Sequence, residues 1–566
     1  MKIELPGELA RILNDIDGRG YKAYKALQGK SFEFSLFHVR FEHVQGDPFA
    51  LPTRLSVTVD PDAAGFDTEL YDTPTRRLAL EDFLLRAVLE KIGKNKIRVR
   101  GTGKSGEVSV LKPGQKILKR SAMLVQGNKI QLILFAGLPA DGRTILGKEC
   151  LKLFAEVLPS IWSGSLLASS LDVSRIKQWL ETLEDHKALQ DELEKTSWSA
   201  FVADGSLLPR ESGISDRPLN KKGVKIIAPA TFSEEVTLPH RGRVRGMAVP
   251  RGITLIVGGG FHGKSALLRA LQDGVYPHIP GDGREAIATM RSAVKVRAED
   301  GRSVKNVDVS GFMDRLPLVE STRSFFTQAA SGSTSQAVNI LEAIEAGSGL
   351  LLMDEDTCAT NFMIRDARMQ ALIESDMEPI TPFLDRVEEI HDVLGANVIL
   401  VMGGSGDYFD CAHHVIAMKE FIPQCVTGEA KAIIEKNPGE RKKETSFPFP
   451  KVQERCVELK GLSFNRGKKE CVIQTRGTDT LVLGRTDVDT RYLEQLVEEG
   501  QLELCGWILN RLKSDMKENT ESSISRLKTL FATLEENGLD TFNPFNNGLL
   551  VLPRIQEAMA VLNRIR

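Results

Sequence analysis

The sequence predicts an α/β protein built on a mainly parallel sheet, with smaller regions of mixed structure on either side. Three observations predict it. From 223 to about 420, short apolar runs alternate with helical stretches: ITLIV (253–257), GLLLM (349–353) and NVILVM (397–402). The first run enters a glycine-rich loop that opens a helix. The second ends in two carboxylates, so buried strands deliver polar chemistry to one edge of the sheet.

The elements follow in chain order. SFEFSLFHVRFEHVQ (31–45) alternates apolar and polar residues, as an edge or half-buried strand does. RRLALEDFLLRAVLEKIGKN (76–95) has helical periodicity and ends at Gly93. SRIKQWLETLEDHKALQDELEKTSW (174–198) is a long, charged amphipathic helix, expected as a connector. The loop FVADGSLLPRESGISDRP (201–218) and the charged EKNPGERKKETSFPFPK (435–451) mark boundaries. The last part opens on strand-like CVIQTRG and TLVLGR and closes with helices from about Asp489. The expected division is an N-terminal α/β domain over 1–200, a core over 201–440 and a small C-terminal α+β domain over 441–566.

Composition narrows the function classes. The chain is 42% hydrophobic and 27% charged, as ordinary globular proteins are. Its net charge of −2 gives no global attraction to nucleic acid or to an anionic membrane, so any basic surface is local. No stretch approaches ~18 uninterrupted apolar residues, which argues against a membrane span. The first residues carry acids and no apolar segment, unlike a signal peptide. Seven scattered cysteines without a CxxC pair predict neither a disulfide framework nor a zinc site, and a reducing, cytoplasmic location is expected.

The stretch ITLIVGGGFHGKSALLRAL (253–271) satisfies GxxxxGK[ST] in its required strand–loop–helix context. Gly258, Gly259, Gly260, Phe261, His262 and Gly263 form the loop, and Lys264, Ser265 and Ala266 open the helix. Glycines let backbone N–H groups turn inward around phosphate oxygens, and the helix N-terminus adds a favourable dipole. Lys264 is expected on the β- and γ-phosphates and the Ser265 hydroxyl on Mg²⁺. His262 either reaches phosphate or faces solvent. A second GKS, in RVRGTGKSGEVSV (98–110), fails the test: Arg98 stands at the first motif position and no helix follows. Arg98, Arg100 and Lys104 are expected on a basic hairpin loop, either a solvated turn or a phosphate-contacting loop.

GLLLMDEDTCATN (349–361) places Asp354 and Glu355 at the end of an apolar strand. Asp354 suits the Mg²⁺ shell. Glu355 suits polarising an attacking water, a general-base role. Such an acid pair is weak evidence alone, and gains weight from the phosphate loop ~90 residues earlier.

ASGSTSQA (330–337) reads by composition as a flexible linker. Its spacing says otherwise. Ser331 lies 23 residues before Asp354 (354 − 331), and QAVNILEAIEAG follows it as a helical run. That separation is the one between the signature serine and the acidic motif in ABC-type ATPases. The chain resembles that class, and more specifically the soluble "predicted ATPase of the ABC class" family. GGGFHGKSALLRAL, GVYPHIPGDGRE, VRAEDGR, ASGSTSQA, MDEDTCATNFMIRDARMQALI, EPITPF and VMGGSGDYFDCAHHVIAM carry the resemblance, with GYKAYKALQG and VQGDPFALPTR in the N-terminal part. It implies an ABC-type P-loop NTPase core that binds ATP and Mg²⁺ and releases ADP. It implies a head-to-tail homodimer with each nucleotide between Lys264 of one subunit and Ser331, Gly332 and Ser333 of the other. Asn361 stands where the family's D-loop carries aspartate. Family members have been linked with RNA processing, and the basic loops permit contact with RNA or another nucleic acid.

Two departures from transport-type ABC domains bear on turnover. GGSGD (403–407) occupies the place of their switch histidine, with Ser405 the nearest candidate for the γ-phosphate. Their Q-loop glutamine has no clear match, and VDVSGFMDRLP (307–317) lies in the corresponding region. Three readings therefore compete. The first is a soluble Mg²⁺-dependent ATPase acting on a macromolecule. The second is a nucleotide-gated binding or scaffold protein with little turnover. The third is a P-loop small-molecule kinase, which gives ASGST no role.

Other residues carry two expectations each. Phe232 either stacks on adenine or packs in the core. HIPGDGRE (278–285) is either a surface turn or brings His278, Asp282 or Arg284 to the cleft. RAEDGR (297–302) is expected as a hairpin turn, with Arg302 a candidate phosphate contact. His413 and His414 are expected to be structural. Arg466, Lys468, Lys469 and Arg476 form either a solvated basic face or a nucleic-acid contact.

Overall fold

β-Branched and leucine side chains dominate the three apolar runs, and strands that read as unbroken apolar segments bury both faces of a parallel sheet. A computed structural model describes residues 3–219, 223–314, 316, 321–445, 447–515 and 521–565. The chain divides into two compact units, Met1–Glu184 with Thr533–Leu552, and Asp185–Ala532 with Pro553–Arg566. The division falls inside the long helix Val173–Lys195.

The second unit holds the parallel sheet. In chain order its elements are β1 (Ile253–Val257), α1 (Lys264–Asp273), β2 (Ala293–Lys295), α2 (Gly332–Glu345), β3 (Leu350–Asp354), α3 (Phe383–Asp392), β4 (Asn397–Val401), β5 (His414–Lys419) and β6 (Ile422–Cys425). The strand order is β2-β3-β4-β1-β5-β6. All neighbours run parallel except β5 and β6, which form an antiparallel hairpin. Register sets Leu350 beside Asn397, Ile253 beside Val398 and Thr254 beside His414.

The two faces of this sheet differ. Leu351 and Met353 of β3, Val398 and Leu400 of β4, and Ile253 and Leu255 of β1 pack in one cluster with Ala337, Val338 and Leu341 of α2 and Phe383 and Val387 of α3. The alternate residues of β3, Leu350, Leu352 and Asp354, therefore point the other way. That is the side on which α1 packs across β2, β3 and β4. The strand that ends in Asp354 and the helix that opens with Lys264 thus share one layer.

A four-stranded sheet, in the order Ser233–Leu238, Gly242–Pro250, Trp198–Ala203 and Ile287–Thr289, belongs to the same unit. So does a three-stranded antiparallel sheet over Ile473–Arg476, Thr480–Leu483 and Thr486–Asp489, on which the helix Glu499–Asp515 packs.

The first unit is built on a six-stranded sheet with the 21-residue helix Pro74–Lys94 against it. Thr73 caps that helix, its hydroxyl accepting the N–H of Arg76 at 3.2 Å, with proline at the first helical position. The stretch 31–45, expected as one strand, is a hairpin of Ser31–Phe34 and Phe37–His43. Ser35 at φ 55° turns the chain between them. Both strands keep their phenylalanines on one face, where Phe34 and Phe41 meet Phe154 and Phe34 meets Trp162.

Candidate functional site

β1 runs into the loop Gly258–Gly263 and α1 leaves from it. Gly258 at φ 138° and Gly263 at φ 95° take conformations that suit glycine, and Phe261 joins them at φ 63°. Crowding fixes two of the glycines as well. A Cβ on Gly258 would lie 2.5 Å from the Met418 carbonyl oxygen, and one on Gly263 would lie 2.6 Å from the Phe421 ring. Lys264 Nζ donates to the carbonyls of Gly258 at 2.6 Å and Gly259 at 3.0 Å, which holds the ammonium over the loop. Ser265 and Ala266 lie in the first turn of α1, whose N–H groups face the loop. Phe261 is fully exposed, while the His262 ring turns to the β5–β6 hairpin and accepts the N–H of Glu420 at 2.9 Å.

β3 ends in Asp354, which is buried and whose Oδ1 accepts the N–H of Asp356 at 3.2 Å. Glu355 reaches across to the end of β4. Its Oε2 accepts the N–H of Gly403 at 2.5 Å and of Gly404 at 3.0 Å. A Cβ placed on Gly403 would lie 3.6 Å from Glu355 Oε2 and 4.0 Å from Lys264 Nζ. The carboxylate and the ammonium therefore flank a single point at the sheet edge. Ser405 follows Gly404 in the chain, its hydroxyl donating to Asp407 at 3.2 Å. Ser265 and Asp354 supply hard oxygen donors of the kind Mg²⁺ takes. Among the described residues no group of three or more His, Cys, Asp or Glu gathers to hold a metal.

ASGST is the N-terminus of α2 rather than a linker. Ser331 caps the helix, its hydroxyl accepting the N–H of Thr334 at 3.4 Å. Ser333 donates to Asn361 Oδ1 at 2.7 Å, and Gln336 Oε1 accepts the N–H of Ala359 at 2.7 Å. These bonds tie the segment after β3 to the first turn of α2. On the other side Ala330 exchanges backbone hydrogen bonds with Gly301 and Arg302. Below the turn lies a buried ionic layer. Arg302 pairs with Glu342 at 2.6 Å, Arg455 with Glu345 at 2.8 Å, and Arg564 with Glu299 at 3.1 Å.

With this geometry in view, the comparisons with known proteins are specific. The P-loop domain model of the ABC ATPases matches residues 172–455, half of the chain. The chain belongs to the ABC-class ATPase family. The model described as "ATPase of the ABC class N-terminal" matches residues 7–169, and the "MRB1590 C-terminal domain" model matches 472–566. A stretch of 231 residues is 27% identical to "Uncharacterized protein MJ1628" of Methanocaldococcus jannaschii, covering 39% of this chain and 50% of that protein. The chain thus spans about half the length of the curated relative it matches. Two solved structures each align with 43% of the chain. One is cbiO1 from Clostridium perfringens, part of the ABC transporter complex cbiONQ, at 15% identity, 97% of that chain and a TM-score of 0.27. The other is the ADP conformation of MJ1267, an ATP-binding cassette of an ABC transporter, at 12% identity, 96% of that chain and a TM-score of 0.26. No helix among the described residues is long and apolar enough to cross a membrane.

In this ABC-class ATPase several sequence expectations change. HIPGDGRE is not a surface turn: His278, Asp282 and Arg284 are buried. His278 pairs with Asp282 at 2.6 Å, Arg210 also reaches Asp282 at 2.6 Å, and Arg284 pairs with Asp273 at the end of α1 at 2.7 Å. These ion pairs draw the segment inward, although among the described residues His278 Nε2, Asp282 Oδ1 and Arg284 Nε have no hydrogen-bond partner. Arg302 is likewise buried on Glu342 instead of facing phosphate. Phe232 is in the core, edge-on to His414 at 5.8 Å. His413 Nδ1 accepts the N–H of Ile253 at 2.9 Å, a structural role as expected. The decoy stretch 98–110 forms no helix and no hairpin of its own; Val108 and Ser109 pair with Ala136 and Phe135. Of the basic cluster, Arg476 pairs with Asp487 at 3.0 Å. Within the Q-loop candidate, Arg315 and Pro317 lie outside the described residues.

Two features near the site left no mark in the sequence reading. Lys295 pairs in register with Leu352 and so shares the face of Asp354. Burial holds its ammonium below the usual lysine range, against the pull of Glu494 and Asp354. Cys358 follows the acid pair, and burial pushes its thiol up to about 12, which makes it a poor nucleophile at neutral pH.

Proposed function

We propose that the chain binds ATP with Mg²⁺ at the loop Gly258–Gly263 and hydrolyses it with Glu355 as general base. The observation that carries this reading is the convergence of Lys264 Nζ and Glu355 Oε2 on the point beside Gly403. On binding, Lys264 exchanges the Gly258 and Gly259 carbonyls for β- and γ-phosphate oxygens. Loop N–H groups and the α1 terminus hold the remaining phosphate charge. Ser265 and Asp354 are the residues that would hold Mg²⁺, which would supply charge neutralisation to the phosphates. Glu355 is oriented through Oε2 by Gly403 and Gly404, which leaves Oε1 to take the proton of a water. As that proton moves, the water oxygen bonds to the γ-phosphorus and the bond to ADP breaks. Ser405, which follows Gly404, is the candidate to offer its hydroxyl to the γ-phosphate.

The same reading includes a head-to-tail homodimer. Ser331 is exposed at the N-terminus of α2, where its hydroxyl and the N–H groups of Gly332 and Ser333 offer donors to the γ-phosphate of a nucleotide held by a second subunit. ATP, which has that phosphate, closes the pair, and ADP releases it. The macromolecule served is proposed to be RNA, met by exposed basic residues such as Arg466, Lys468 and Lys469.

A second reading, a nucleotide-gated scaffold with little turnover, is favoured by one observation: glycines 403 and 404 stand where a switch histidine is expected. Phosphate release by wild type and Glu355→Gln separates the two. Hydrolysis predicts that the variant keeps ATP binding and loses turnover by about 10²–10⁴-fold. Two forms equally inactive, both binding ATP, would leave the scaffold reading.

A further inference from the structure

The phosphate loop does not shape itself. At three of its glycines a Cβ would come to within 3.0 Å of a neighbouring group. Gly258 backs onto the Met418 carbonyl, Gly263 backs onto the Phe421 ring, and a Cβ on Gly259 would lie 3.0 Å from Cδ2 and 3.5 Å from Nε2 of His262. Gly260, by contrast, has open space around it. Two of the three neighbours belong to the hairpin β5–β6.

That hairpin is unusual in its turn. Lys419 pairs with Ile422, so Glu420 and Phe421 form a two-residue connection. Both have positive φ, 52° and 66°. This is the geometry that asparagine and glycine normally supply, and here neither is present. Left-handed conformations of larger residues persist where their surroundings over-determine them. His262 is what over-determines this one. Its Nδ1 accepts the N–H of Glu420 at 2.9 Å, and its carbonyl accepts the N–H of Phe421 at 3.0 Å. An imidazole nitrogen that accepts carries no proton, so the neutral ring has its hydrogen on Nε2.

We propose that the β5–β6 turn is the mould of the phosphate loop and that His262 is the positioning residue between them, acting on nucleotide through the loop and not by contact. This rests on the loop being the ATP site. The ring is wedged between Gly259 and Glu420, with its acceptor spent on the turn. The turn in turn holds Phe421 against Gly263, the last residue before Lys264. Loss of the strut lets the turn relax, and the loop loses the shape that aims its N–H groups.

Asparagine and glutamine separate positioning from contact. The side-chain oxygen of asparagine falls where Nδ1 is, and the amide nitrogen of glutamine reaches where Nε2 is. The experiment titrates wild type, His262→Asn, His262→Gln and His262→Ala with a fluorescent, non-hydrolysable ATP analogue and Mg²⁺. Hydrogen exchange of a peptide spanning 418–424 is followed in parallel by mass spectrometry, without nucleotide. The expected result is His262→Asn within about threefold of wild type, and His262→Gln and His262→Ala each about tenfold weaker, as for loss of one hydrogen bond. Exchange over 418–424 stays slow in wild type and His262→Asn and rises in the other two. Glutamine binding as well as or better than asparagine overturns the proposal in favour of a direct phosphate contact. Equal binding by all four forms, or exchange unchanged by His262→Ala, overturns it as well. A wild-type chain that binds no analogue overturns the ATP reading itself, a result distinct from any pattern among the variants.

Discussion

The N–H of Gly403 donates to Glu355 Oε2 at 2.5 Å, and the N–H of Gly404 joins it at 3.0 Å. Two backbone donors at the end of one strand thereby fix a side chain from the end of its neighbour. Backbone donors cannot rotate away, so the carboxylate is oriented before any ligand arrives, which is the arrangement general-base chemistry favours. The glycines also let the carboxylate approach closely.

Gly404→Ala should therefore be worse than Gly403→Ala. A Cβ on Gly404 would lie 2.8 Å from Glu355 Oε1, whereas one on Gly403 meets nothing nearer than 3.6 Å. If Glu355 is the base as proposed, displacing it by a fraction of an ångström is expected to slow turnover about ten- to a hundredfold in Gly404→Ala, with ATP binding intact. Steady-state phosphate release compared with nucleotide titration checks it; equal rates for the two variants would contradict the geometry.

Within the phosphate loop the contrast lies between Gly260 and Gly263. Gly260→Ala meets open space and should bind ATP as wild type does. Gly263→Ala combines φ 95° with a 2.6 Å approach to Phe421 and should weaken binding at least tenfold. Isothermal titration with ATP in both variants reads the difference.

Arg302 tests the ionic layer under α2. Its guanidinium is buried and paired with Glu342. Arg302→Ala leaves that carboxylate buried with less charge around it, and a loss of about 3–5 kcal/mol is expected in denaturant unfolding. A loss below 1 kcal/mol would mean that Arg455, also on Glu342 at 3.4 Å, carries the layer alone.

Acid stability should show the signature of His186. Burial pulls its pKa from the ordinary value down to about 3, with the charges of His278 and Arg291 in the same direction. The folded state then holds the ring neutral while the unfolded chain takes up a proton below about 6.5. Stability is complete above that value and falls as pH drops from about 6.5 towards 3. His186→Leu should flatten this part of the curve, measured as unfolding free energy against pH in urea.

Legibility followed the covalent distance between cooperating groups. GGGFHGKS and MDE were readable because each motif is contiguous and needs particular side chains. ASGST was readable only through its spacing to Asp354, since small polar residues alone look like a linker; Ser331 as the cap of α2 shows why they are there. The donors of Gly403 and Gly404 are backbone groups and leave no residue-type signal beyond glycine itself. The sequence left HIPGDGRE open between a surface turn and the cleft because its partners come from elsewhere: Arg210 is 72 residues from Asp282, and Asp273 closes α1. The turn at Glu420–Phe421 lacks asparagine and glycine, so nothing in the local sequence announces it.

Lys264 and Glu355 are proposed to serve one site at which ATP is cleaved. The measurement is steady-state phosphate release from Mg·ATP by wild type, Lys264→Ala, Glu355→Gln and the double variant. Groups acting as a unit are strongly non-additive. The expected result is turnover in wild type, a large loss in each single variant, and a double variant no slower than the slower single one. No turnover in wild type, or losses that multiply in the double variant, would contradict it.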